Sequence, residues 1–529
     1  TFFGKTVSLN NIFGEDQLDD LVWLNNFTFA NTPANVKDGL NLGLDFTVDS
    51  VSYTDAIIHP LISRKQRYIF DSTGNNTDPG NLSAANASEH NKRGVLPEDL
   101  KPAIKASLII KAIEEQYGLT FKTGEFFNSA AFSNVYLWLN RKIGKYSFVY
   151  DVDISTTFSC SDNLTGSCTF FASTSTSLFD NGKYKIKALS SFDAFGYRAT
   201  VTPTVATALY TTEIVDDLTD TVVATITGTG NQVIEVAYAD ITNTALPIGE
   251  SKHLFTRVVS DTALNFSLEL LVTYDEIDAF TTLQSYSSTY TSSSSISATP
   301  QYLAPTQEIP EIKVLDFLKG LFKQFNLTAF LDRDDKIVVK TLDSFYSDST
   351  TTHDISQYIK TDDNTVSEAL PFSDITLQYP EPNTKLALAY GNIHNNRYGK
   401  LDYQANASRG ATYKVETPFG HMLYERLQDL DDESYTEIQY GLSVNESDNE
   451  VLPKPLLFYG IYQSSISDAI NFVDSVRPED GGLAPSGTRY SLTDYWMPHN
   501  ASELGTSSTA PAYNLNFGSE INSYTLTDY

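Results

Sequence analysis

Apolar residues recur along the chain in two rhythms. In PAIKASLIIKAIEEQYGLT, residues 102–120, Ala106, Ile110, Ile113 and Tyr117 fall at i, i+4, i+7 and i+11, one stripe of an α-helix. Pro102 suits the opening turn, where its missing N–H would have no partner anyway. Gly118 stands where a left-handed exit is needed. The pattern returns without a gap in PEIKVLDFLKGLFKQFNLT, residues 310–328. Val314, Leu318, Leu321 and Phe325 form the second stripe, and Asn326, the best non-glycine left-handed residue, replaces Gly118. Seating these helices on their strands falls to Ile110, Ile113, Tyr117, Leu318, Leu321 and Phe325. The spacing predicts one helix-plus-strands module made twice.

The second rhythm alternates with period two. YSFVYDVDIST, YKIKALSSF, TVVATITGTG, QVIEVAYADI and FSLELLVTYDEI lie between the helices, separated by turn residues. They predict an inserted antiparallel β-sandwich. TTLQSYSSTYTSSSSISATP reads as a connector, and LDRDDKIVV as a hairpin around an Asp-rich turn. DITLQYPEP, KLALAYGNI, YGKLDYQA and ATYKVETPF read as strands, and GHMLYERLQD as a short helix. The expected organisation is a first module over 1–145, a β-sandwich domain over 146–285, a Ser/Thr-rich linker at 286–305, a second module over 306–450 and a loop-rich C-terminal region over 451–529. The class is multidomain, β-rich α+β, as a length of 529 residues suggests.

Charge narrows the function. With 66 acidic and 36 basic residues the formal net charge is −30. Such a surface repels phosphate and argues against specific nucleic-acid binding, while suiting solubility or the wall of a channel along which DNA slides. No apolar run reaches the ~20 residues of a membrane-spanning helix. Thr1 would suit loss of an initiator methionine, and the stop on YTLTDY a longer native product.

Candidate chemistry is sparse. Cys160 and Cys168 flank a predicted hairpin whose ends could be bridged by a disulfide, although a reducing compartment would leave two thiols. Their seven-residue spacing, without a further Cys or His pair, does not suit zinc. GKT at 4–6 lacks the glycine of a phosphate loop. His421 and Glu425 are four apart and could share a helix face, but no third metal ligand accompanies them. Asp332, Asp334 and Asp335 lack the glycine and terminal Glu of a calcium loop. His59, within IIHPLI, reads as a hydrogen-bonded core histidine. No catalytic, cofactor or metal residue is assigned, and the chain reads as non-enzymatic. Its 31 Tyr and 31 Phe instead favour large, semi-wet interfaces.

The two helix phrases, together with KYSFVYDVDI, PFGHMLYERL and YGKLDYQA, resemble tail and baseplate hub proteins of bacterial viruses. The likeness covers the two modules and about 365–450. It implies a homo-oligomer, a trimer whose subunits each carry two tube-type domains, six in all, in a pseudo-sixfold ring; a hexameric ring is the other closed arrangement. Such a ring adapts the tail tube to the distal tip and lets DNA pass. The implied partners are other tail or baseplate proteins. The implied location is the virion, after synthesis in the host bacterial cytoplasm. The competing reading is a tail-fibre or adhesin-like chain whose β domain binds a cell-surface glycan.

Overall fold

The structure is a computed structural model. It describes residues 9–76, 78, 80–85, 94–142, 158–161, 179–180, 183–187, 194–216, 221–236, 251–260, 264–278, 281–292, 296–298, 302–348, 354, 372–404, 410–451, 454–474, 488–504 and 512–518. The chain is β-rich α+β, with several sheets and few helices. No described helix is long and apolar enough to cross a membrane.

A six-stranded antiparallel sheet draws on both ends of the chain, in the order Leu44–Val48, Val51–Ile58, Ala103–Lys105, Val135–Trp138, Leu457–Gln463, Tyr495–His499. Successive side chains of a strand point to opposite faces, and in the strands Val135–Trp138 and Tyr495–His499 both faces are covered. Val135 and Leu137 join Ile57, Ile104, Leu457 and Tyr459 in the core that holds the helices. Tyr136 and Trp138 join Ile58, Ala103, Phe458 and Trp496 on the other side, against Met422 and Tyr424. Burial of both faces leaves no polar alternation to read. That is why 451–529, expected to be loop-rich, proves to hold two strands of this sheet and the hairpin Ile470–Asp474 with Thr488–Leu492. Gly460 is required where its strand crosses Tyr136, because a Cβ there would lie 2.7 Å from the ring.

The two repeated phrases fold alike as far as their exits. The helices Ala106–Tyr117 and Val314–Gln324 start at equivalent positions, after the extended residues Lys105 and Lys313, four residues later than Pro102 and Pro310 led us to expect; after Pro102 the chain first adds the strand Ala103–Lys105 to the central sheet. Both leave through a left-handed residue, Gly118 at φ 63° and Asn326 at φ 50°. Equivalent glutamines act alike: Gln116 Nε2 donates to the Asp20 carbonyl at 2.9 Å and Gln324 Nε2 to the Leu515 carbonyl at 2.6 Å. Beyond the exits the copies differ. The second runs into the hairpin Leu327–Leu331 and Ile337–Thr341 around the predicted Asp turn. After the first, Phe121 bridges Ile337, so its exit borders the second copy's hairpin. The sequence TFKTGEFF turns at Gly124, φ 80°, and has no second apolar run from which to build a hairpin of its own. Both stripes enter one hydrophobic core, together with Phe13, Leu18, Leu21, Leu24 and Phe27 of the N-terminal segment.

The described residues between 158 and 298 form two further antiparallel sheets. One has the order Gln232–Val236, Ala194–Pro203, Leu264–Asp278, Thr281–Ser292, Phe158–Ser161, with Ile296–Ala298 on the third strand. The other runs Thr221–Gly228, Tyr210–Asp216, Ser251–Val259, Lys183–Lys187, Phe179–Asp180. They meet through alternate buried residues, and the Tyr197 hydroxyl lies 2.8 Å from Thr256 Oγ1. Thr281–Ser292, read as part of a connector either flexible or lightly paired, is a strand paired along Leu264–Asp278.

Two other expectations are overturned. KLALAYGNI is a helix, Lys385–His394, announced by Thr384 before it and left-handed Asn395 after it. GHMLYERLQD contains a strand, Tyr424–Gln428, paired with Tyr435–Leu442. Met422, Leu423, Tyr424 and Leu427 are all buried, and burial on both sides defeats a periodicity argument.

Distant segments are tied by a buried charge cluster. The Glu450 carboxylate accepts from Arg64 at 3.0 Å and Lys101 at 2.9 Å. Arg64 Nε also donates to the Glu98 carbonyl, and Lys101 Nζ to that of Lys142. Burial pulls the Lys101 ammonium below the usual lysine value, against the opposing pull of Glu450. Removing the shared carboxylate leaves two cations in a dry space. Glu450→Ala is therefore expected to cost about 3–5 kcal/mol, and Lys101→Met less, because Arg64 keeps its partner. Urea unfolding followed through the core tryptophans checks this; a loss below about 1 kcal/mol for Glu450→Ala, the range of an exposed pair, contradicts it.

Candidate functional site

The residues assigned to module cores lie together. Ile110, Ile113, Leu318 and Leu321 are buried in the shared core, with Tyr117 and Phe325 packed on its margin. The Tyr117 hydroxyl donates to Asp16 at 2.8 Å, and Phe325 meets Phe126 at 5.0 Å between ring centroids. Cys160 lies in the strand Phe158–Ser161, while Cys168 falls outside the described residues, as does the disulfide question. His421 and Glu425 share no helix: Glu425 is on a strand, buried, with its carboxylate meeting Arg67 at 3.3 Å and the Tyr440 hydroxyl at 2.9 Å. Among the described residues no group of three or more His, Cys, Asp or Glu is placed to hold a metal.

Among the described residues an open apolar surface belongs to a three-stranded sheet that sequence reading found as strands without seeing its faces. Phe372–Gln378 is its centre, with Lys400–Gln404 antiparallel on one side and Ala411–Glu416 parallel on the other. Residues directly opposite each other share a face. Ile375 lies opposite Tyr403 and Tyr413, and Leu377 opposite Leu401 and Val415. A register shift after Phe372 brings its ring onto Tyr413, with centroids 4.8 Å apart. One face is thus apolar throughout and carries no acid or base. The other holds Asp374, Thr376, Gln378, Lys400, Asp402, Lys414 and Glu416. Lys400 and Lys414 pair there with Asp402 and Glu416 at 2.7 and 3.1 Å. These partners hold both carboxyls below their usual values. The apolar face is open, with Leu401 41%, Tyr413 46% and Tyr403 59% exposed. A second open aromatic group, Phe330, Phe345 and Tyr346, stands on the 327–341 hairpin and the helix Leu342–Ser347.

Where this sheet begins, a cleft of about 740 Å³ opens between 390–402 and 514–518. Behind it His421 is stacked between Tyr379 and Tyr398, at 4.1 and 4.8 Å with interplanar angles of 7° and 11°. Its Nε2 donates to Asn516 Oδ1 at 2.9 Å. Gly399, at φ 76°, permits the close approach, since a Cβ would lie 2.5 Å from the imidazole. These residues come from separate segments, so no spacing announced them.

His59, expected to be hydrogen-bonded, is buried with neither ring nitrogen paired, edge-on to Phe29 and tight against Gly39. Burial lowers its pKa to about 3, that of His421 to about 3 and that of His499 to about 4.

No known protein family, no curated protein and no solved structure matches the chain.

A histidine whose folded pKa lies below its unfolded value near 6.5 contributes stability that is full above that value. The contribution is lost as pH falls towards the folded pKa, because the unfolded chain takes the proton. Between pH 7 and 5 the wild type should lose about 2 kcal/mol relative to His59→Leu, a comparison in which the protein's changing net charge cancels. Paired urea titrations at the two pH values measure it; a constant difference contradicts neutral burial.

Proposed function

We propose that this chain is a structural assembly protein, a hub-type component of a bacterial-virus tail that joins copies of itself into a closed ring. The observation that carries the reading is the open apolar face of the 372–416 sheet. A chain with 30 excess negative charges repels its own copies, and like charges brought together across an interface cost several kcal/mol. Self-association therefore needs a face without ionised groups, and Phe372, Ile375, Leu377, Leu401, Tyr403, Tyr413 and Val415 supply one. Strand dimensions give this face roughly 250 Å². That is less than the ~800 Å² per partner of a standard interface, so it suits the dry centre of a larger contact. The occupant we assign to it is a second copy of this chain.

The repeated helices support the finer reading. Three subunits that each carry two related helices offer a sixfold tube six related elements, a match that three single copies cannot make. The acidic excess then suits a lumen along which DNA passes without adhering.

Light scattering of the purified protein at tens of micromolar is expected to show a species three times the 58.6 kDa chain. Tyr403→Lys with Tyr413→Lys is expected to yield folded monomers, because it sets ammonium groups on the contact. A wild type that stays monomeric contradicts the proposal.

A further inference from the structure

We propose that the cleft between 390–402 and 514–518 binds an acidic saccharide through Arg397. This rests on the cleft alone and not on the assembly reading. Its volume, about 740 Å³, lies within the range of small-ligand sites, roughly 300–1,000 Å³. Tyr390 and Phe517 give it aromatic walls, and Asn396, Asn514 and Asn516 place planar amides beside them. Aromatic faces receive the C–H side of a sugar ring, while an amide offers donor and acceptor together, matching vicinal hydroxyls.

Charge selects among sugars. Among the described residues two cations and one acid line the cleft, in a chain that is strongly acidic overall. Lys400 is occupied by Asp402 at 2.7 Å. Arg397 is compensated less. Its Nη2 donates to the Tyr379 carbonyl; among the described residues its buried Nε has no partner and its one carboxylate contact is Glu381 at 3.5 Å. The Glu381 side chain is 89% exposed, a loose partner on the solvent side that an incoming carboxylate replaces. A guanidinium fork fits a carboxylate in two-point contact. One such site matches one carboxylate, not a polyphosphate, which Asp402 and Glu381 would repel. Asn516 is set by His421 and the ring stack behind it, so one recognition amide is held before the ligand arrives.

Calorimetry with trimers of galacturonate, glucuronate and mannuronate, beside a neutral galactose trisaccharide and AMP, tests the assignment on the intact protein. At least one uronate trimer is expected to bind about tenfold or more tighter than the neutral sugar, the worth of one charge-assisted contact. Arg397→Gln removes that margin. Glu381→Gln strengthens uronate binding several-fold and leaves the neutral sugar unchanged, an effect that a merely structural glutamate would not give. Phe517→Ala weakens both sugars. Should Arg397→Gln not fold, the Glu381 and Phe517 variants decide. The proposal is overturned if no uronate trimer binds at about 10 mM, if acid and neutral sugars bind equally, or if AMP binds best.

Discussion

The Glu450 carboxylate stands between the guanidinium of Arg64 and the ammonium of Lys101, in a space almost closed to water. Its two partners come from the first fifth of the chain, and it comes from the last. Close by, Leu457–Gln463 lies along Val135–Trp138, so the same two regions also share the central sheet. Buried ions add little net stability over apolar residues of the same volume. Any arrangement that separates these three, however, leaves a bare charge in a dry interior. The cluster therefore acts on register: it penalises every pairing of the chain ends but one. Apolar burial on both faces of the sheet then supplies the bulk of the driving force.

Within that frame the two repeated helices are parts of a common interior. Their stripes converge on a single core, and the N-terminal segment ties them. Asp16 receives the Tyr117 hydroxyl and gives its carbonyl to the amide of Val314. The likeness stops at the left-handed exits, because only the second copy has the paired apolar runs of a hairpin. Two similar helices seated in one core lie at fixed relative positions.

What could be read from the sequence follows from where each element buries its sides. The stripes and exits of the helices at 106 and 314 were legible, since one face is buried and the other wet, and Gly118 and Asn326 mark their ends; their starts were not, because Pro102 and Pro310 precede extended residues instead of opening the first turn. The strands between 194 and 278 alternate for the same reason. Strands Val135–Trp138 and Tyr495–His499 are buried on both sides and carry no such rhythm. The helix at 385 was hidden by LALAY, which mimics alternation, although Thr384 and Asn395 were available as stop signs. For the candidate sites the limit differs. The period-two order of DITLQ, KLDY and YKVE already held the open face, but that the face stays uncovered is a tertiary fact. The cleft joins Tyr379, Arg397, His421 and Asn516 from segments that no local pattern connects.

The account rests on a charge-free sheet face packing head to tail against the neighbouring subunit of a ring. Amide hydrogen exchange recorded at sub-micromolar and at tens of micromolar protein addresses that contact residue by residue. Slower exchange at the higher concentration, centred on 400–404 and 411–416 and absent from the 194–278 strands, is the predicted result. Exchange in those two strands that ignores concentration, from a protein that is monomeric throughout, would contradict it.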